Sequence, residues 1–225
     1  MPTVYERLLP ALLLIILAGS SKAGPWLREK GSSFTASSIS ATYFLDTSSQ
    51  TYLEYGLTDK TTLIADISML RLRFAPESGY AIFSLRRALS TPDATSKWAY
   101  EAGIGAGWIG VQTLPIARAG LSWGRGIKLG EKSGWATIEA SLVWDVTFGE
   151  HIAKLDTTVG LNFTDLTAGM LQLYTVDIAG ETAATLAPSV VLSPDWTKFR
   201  FQFGAESELG NIEKSAIKLG LWREF

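Results

Sequence analysis

From residue 33 to residue 225 the sequence alternates apolar and polar residues with a period of two, in about a dozen segments separated by turn residues. In an extended strand, residues two apart share a face. Segment 135–146 is the cleanest case: Ile138, Ala140, Leu142, Trp144 and Val146 fall on one face, and Thr137, Glu139, Ser141 and Asp145 on the other. In 151–162, Ala153, Leu155, Val159 and Leu161 stand against Lys154, Asp156, Thr158 and Gly160. In 198–206, Phe199, Phe201 and Phe203 stand against Arg200, Gln202 and Glu206. The last segment sets Ile217, Leu219, Leu221 and Phe225 against Lys218, Gly220, Trp222 and Glu224. Turn residues punctuate the pattern at 46–49, 58–60, 75–79, 90–97, 130–134, 147–150, 163–165, 193–196 and 209–211.

Alternation alone does not separate a soluble β-sandwich from a barrel that turns its apolar face to lipid. Three features favour the barrel. The polar face is mostly Gly, Ser and Thr with single charges of both signs, and charged residues are 19% of the chain, below the ~25% usual for a soluble domain. Aromatic residues recur near segment ends (Tyr43, Tyr52, Trp98, Trp108, Trp123, Trp135, Trp144 and Trp196), where amphipathic rings suit the two faces of a bilayer. The segments mostly run to ten or more residues, which matches the ~9–11 of a tilted membrane strand rather than the ~5–6 of a soluble one. The expected fold class is therefore all-β: a transmembrane antiparallel up-and-down barrel of about 12 strands.

Two stretches carry a family resemblance. Lys218, Gly220 and Phe225 match the C-terminal assembly signal of bacterial outer-membrane β-barrel proteins, with Arg223 where that signal usually has an aromatic or apolar residue. The hairpin phrase Tyr55-Gly56-Leu57-Thr58-Asp59-Lys60 resembles the periplasmic hairpins of the same proteins. The resemblance implies an assembly role for Gly220 and Phe225, residence in outer-membrane lipid, and dealings with the barrel-assembly machinery and periplasmic chaperones. Residues 1–23 read as a cleaved export signal: an apolar run at 8–18 follows Arg7, and Ser21 and Ala23 supply the small residues a signal peptidase reads. As a helix that run would cover ~16 Å, half of a ~30 Å hydrocarbon core. Residues 24–31 are expected as a polar periplasmic lead-in and 32–225 as the barrel. An even number of strands brings the last back to the side where the first began.

Composition narrows the chemistry. A formal charge of −2 with no basic stretch gives no footprint for nucleic acid. The absence of cysteine and the single His151 exclude disulfides, thiolate metal sites and multi-histidine metal sites. No nucleotide motif is present, and no cofactor is expected. His151, in Gly149-Glu150-His151-Ile152, lacks the neighbours of a serine hydrolase, and Gly103-Ile104-Gly105-Ala106-Gly107 sits inside a strand pattern, where small residues serve curvature. The candidates for the lumen lining are Asp66, Arg86, Glu101, Arg118, Glu139, Asp145, Lys154, Asp156, Arg200, Glu206 and Lys218. Opposite charges in a narrow lumen are expected to pair rather than to catalyse. The leading expectation is a narrow, porin-like passive channel for small polar solutes or ions rather than an enzyme. The competing one is a non-conducting structural barrel, with an outer-membrane hydrolase third.

Overall fold

A computed structural model describes residues 24–225; the expected export signal lies outside them. Twelve strands follow in chain order: β1 (Ser33–Thr42), β2 (Thr47–Thr58), β3 (Thr61–Arg71), β4 (Ser78–Ala88), β5 (Ser96–Ile109), β6 (Gln112–Leu129), β7 (Lys132–Asp145), β8 (His151–Asn162), β9 (Thr167–Ile178), β10 (Glu181–Leu192), β11 (Phe199–Glu208) and β12 (Asn211–Glu224). Each pairs antiparallel with its sequence neighbours, and β12 pairs with β1 to close the barrel. The closing seam runs in unbroken register from Phe34 opposite Glu224 to Thr42 opposite Ala216. Ser33 and Phe225 extend it by exchanging backbone hydrogen bonds. Closure leaves no strand edge unpaired, which hydrocarbon requires.

Ser33 and Phe225 mark one end of the barrel, here the terminal mouth; the opposite end is the far mouth. Connections are short at both, the longest being residues 89–95. At the far mouth, β9 turns into β10 through Ala179 and Gly180, both left-handed at φ 53° and 85°. Two consecutive positive φ values give the hairpin twist that matches the flanking strands.

Side chains alternate as the sequence requires, with the polarity of a soluble protein reversed. Leu53, Phe83, Ile104, Leu121, Leu142, Leu155, Leu171 and Leu219 face outward and are exposed. Their neighbours Glu54, Asp66, Ser84, Arg86, Gln172, Gln202 and Lys218 face inward and are buried. This is a transmembrane barrel, with its apolar surface outside. Two rings depart from the expected aromatic belt. Tyr52 is buried inside and donates its hydroxyl to Glu54, and Trp135 packs against an apolar cluster of the lumen. Each shares its face with polar inward neighbours, Gln50 and Glu54 for Tyr52, Thr137 and Glu139 for Trp135, so strand parity overrides height.

Candidate functional site: a stratified lumen

The lumen is filled in layers. Near the terminal mouth, Phe34, Ala36, Tyr52, Ile64, Met170, Val191 and Trp222 form one apolar cluster. Toward the far mouth, Leu70, Tyr80, Ile82, Ile152, Val176 and Ile178 form another, which joins β3 and β4 to β8 and β9 on the facing wall. Between them lies a belt of charge.

Arg86 and Arg118 anchor a linked network in the belt, and two further pairs stand around the wall. Arg86 on β4 donates to Glu54 (2.9 Å), to the Tyr52 hydroxyl (3.0 Å) and to Glu101 (3.1 Å), and lies 3.8 Å from Glu139. Arg86 and Glu101 stand opposite each other on β4 and β5, so the pair is set by register. Arg118 donates to Asp66 at 2.9 Å and sits 3.6 Å from Glu101. Asp66 also accepts from Gln50 (2.9 Å) and Tyr80 (3.2 Å). Around the wall, Lys154 faces Asp156 at 3.8 Å. Lys218 donates to Glu206 at 2.7 Å, and Ser40 completes that carboxylate at 2.8 Å. A buried charge without partners is costly, so the pairing of opposite signs is what lets so many groups share a narrow space. The void left among Tyr52, Asp66, Arg86, Glu101, Arg118 and Glu139 is about 50 Å³, room for only a few waters.

Residues 24–29, expected outside as a lead-in, enter the terminal mouth instead. Arg86 donates to the Gly24 carbonyl at 2.7 Å. Arg28 donates through Nε to Glu54 at 2.5 Å, while its backbone N–H reaches Thr62 Oγ1 at 2.9 Å. The wall is shaped to admit this segment. A Cβ at Gly124 would lie 2.7–2.8 Å from Trp26 and Pro25, and one at Gly56 would run into the backbone of Arg28 and Glu29. Both glycines face inward where the segment passes, and only a hydrogen atom fits there.

Nine of the eleven sequence candidates meet in this belt: Asp66, Arg86, Glu101, Arg118, Glu139, Lys154, Asp156, Glu206 and Lys218. The other two sit at the rims. Asp145 accepts the backbone N–H groups of Thr147 and Phe148 in the β7–β8 turn, and Arg200 lies 3.8 Å from Glu224 near the terminal mouth. Glu54 and Arg28 are central and were not among the candidates. Parity on β2 was the signal for Glu54, since it shares a face with Gln50 and Gly56; nothing in the sequence pattern placed Arg28 indoors. His151 is exposed at the start of β8, opposite Trp144. Gly103 and Gly105 face β4 so closely that a Cβ on either would strike its backbone, which accords with a role in curvature. Among the described residues, no group of three or more His, Cys, Asp or Glu side chains is arranged to hold a metal ion.

No protein-family model matches the chain, and no curated protein matches it. Solved structures do. The chain is similar to the KdgM porin, at a TM-score of 0.60 and 7% identity, over 85% of this chain and 99% of that one. It is similar to the COG4313 outer membrane channel from Pseudomonas putida F1, at a TM-score of 0.58 and 13% identity, over 92% and 100%. The shared feature is the fold, that of bacterial outer-membrane β-barrels.

Proposed function

We propose that this protein is an outer-membrane channel for small polar solutes or ions, described here in a closed state, with residues 24–29 as its stopper. The observation that supports this most is the nature of that closure. Once the export signal ahead of Gly24 is removed, as the same proposal has it, the stopper is joined to the wall at one end only, and among the described residues it is held by a handful of hydrogen bonds. Its withdrawal would bare Glu54, Arg86 and Thr62 to the terminal mouth. The charged belt would then set the constriction and choose among permeating ions. At the far mouth the apolar cluster leaves space alongside, in a cavity whose lining reaches Glu206 in the belt. Export by the signal ahead of Gly24, insertion by the assembly machinery through the β12 strand with Gly220 and Phe225, and residence in the outer membrane belong to the same proposal.

Planar-bilayer recording tests it. The wild-type barrel is expected to be nearly silent, with brief openings. Replacing Pro25, Trp26, Leu27 and Arg28 by glycine is expected to give long, steady openings, whose cation-to-anion preference shifts further on Glu139→Gln. A correctly folded barrel that stays silent with the stopper dissolved would sink the channel reading. That outcome would favour the second one, a structural barrel without conductance, for which the two apolar clusters inside the lumen speak.

A further inference from the structure

A cavity of about 470 Å³ opens at the far mouth, within the ~300–1,000 Å³ span of sites for small organic molecules. Its wall divides by chemistry. Leu70 near the end of β3 and Leu72 just past it, with Phe44 and Phe74 from the adjoining loops, make an apolar side. Glu206 and Glu208 of β11 and Glu213 of β12 make an acidic one. With Asp46, four carboxylates line the space against two cations, Arg73 and Lys214. Lys214 holds Glu208 at 2.8 Å and Lys218 holds Glu206 from below, while Glu213 has no ion-pair partner among the described residues.

A second observation points at a ligand. Thr185 lines this cavity opposite Glu208 in the β10–β11 register, is 4% exposed, and its hydroxyl has no hydrogen-bond partner. A buried hydroxyl left unpaired costs stability unless something comes to meet it. The loops above are braced in advance. The Arg73 N–H donates to Asp46 at 2.8 Å, tying the β1–β2 and β3–β4 loops together, and Tyr43 packs edge-on against Phe44. Leu45 is held left-handed at φ 64°, a strained state for an apolar residue that persists only where its surroundings impose it. Phe74 is 92% exposed, and the Arg73 guanidinium lies 5.3 Å over its ring, so that ring already receives a cation.

We propose that this cavity binds a small organic cation with an apolar body. The ring or chain lies against Phe44, Phe74 and Leu72. The ammonium group faces Glu208 and Glu213 and donates one hydrogen bond to Thr185 Oγ1. The site goes beyond the channel reading and does not depend on it, because binding at the mouth needs no open lumen.

Titration calorimetry on the folded full chain in micelles, with empty micelles as the blank, tests this with phenethylammonium against two shape-matched controls, 2-phenylethanol and 3-phenylpropionate. One saturable site is expected for the cation, with at least about tenfold preference over both controls. Thr185→Val and Phe74→Ala are each expected to weaken it severalfold, and Glu213→Gln to narrow the preference over the alcohol. Phe74 is an exposed loop residue, so its variant tests the site whether or not Thr185→Val folds. No saturable heat above the micelle blank, equal binding of all three compounds, or a Phe74→Ala barrel that binds like wild type overturns the proposal. Conductance plays no part in the readout, so a barrel that stays silent with its stopper dissolved yet binds the cation refutes the channel and leaves this site standing.

Discussion

The two mouths of one barrel are filled by different means. At the far mouth the filling is built into the wall: Leu70, Ile82, Ile152 and Val176 project from their own strands and meet across the lumen, with an open cavity beside them. At the terminal mouth much of the seal is a separate stretch of chain, residues 24–29, pinned by Arg86, Glu54 and Thr62. The strands beneath are alike in pairing and in alternation. The contrast shows that lumen occupancy is decided by what is inserted as well as by what the strands carry. A filling that belongs to the wall moves only if the wall deforms; an inserted one can move by leaving.

Four substitutions sharpen this contrast. Arg86 serves both the stopper and the belt, so Arg86→Ala strikes hardest. It strands Glu54, Glu101 and Glu139 in a buried site, and a loss of about 3–5 kcal/mol is expected in denaturant unfolding from lipid vesicles. Next is Ile82→Ala, in the far cluster, expected to cost about 2–5 kcal/mol by leaving a cavity. It should leave conductance near the wild-type level; a large rise would mean that the far cluster, and not the stopper, is the barrier. Gly56→Ala reverses that pattern. Its new methyl meets backbone rather than a movable side chain, so the stopper must shift, at about 1–3 kcal/mol, and open-channel time in bilayer recordings should rise. Unchanged openings would show that the segment does not control the terminal mouth. The smallest effect belongs to Glu224→Gln. Its carboxylate lies 3.8 Å from both Arg28 and Arg200 and is half exposed, and such a pair is worth within about 0.5 kcal/mol. Melting midpoints of the two proteins should nearly coincide.

Strand number, the outward apolar face and most of the charged belt were legible in the sequence, because a period of two assigns each residue to a wall face without reference to its partner. What was less legible divides by cause. Tyr52 and Trp135 were placed by their height along the strand, whereas Gln50, Glu54, Thr137 and Glu139 already fixed the inward parity of both. Asp145 has the right parity, yet the last residue before a turn serves the turn's own N–H groups first. The stopper is a different matter. Residues 24–29 have no periodicity, and their place depends on gaps that Gly56 and Gly124 leave in strands distant in sequence. A strand pattern reads the wall, and it says little about a tenant.

The reversed polarity of the wall has an evolutionary corollary. Outward positions such as Leu63, Ala65 and Ile67 face a solvent that accepts almost any greasy side chain, whereas Ile64, Asp66 and Ser68 between them are locked into fixed partnerships. Tolerance to exchange along β3 should therefore rise and fall at every other residue, like the teeth of a comb, and drift will write its history on the lipid side alone.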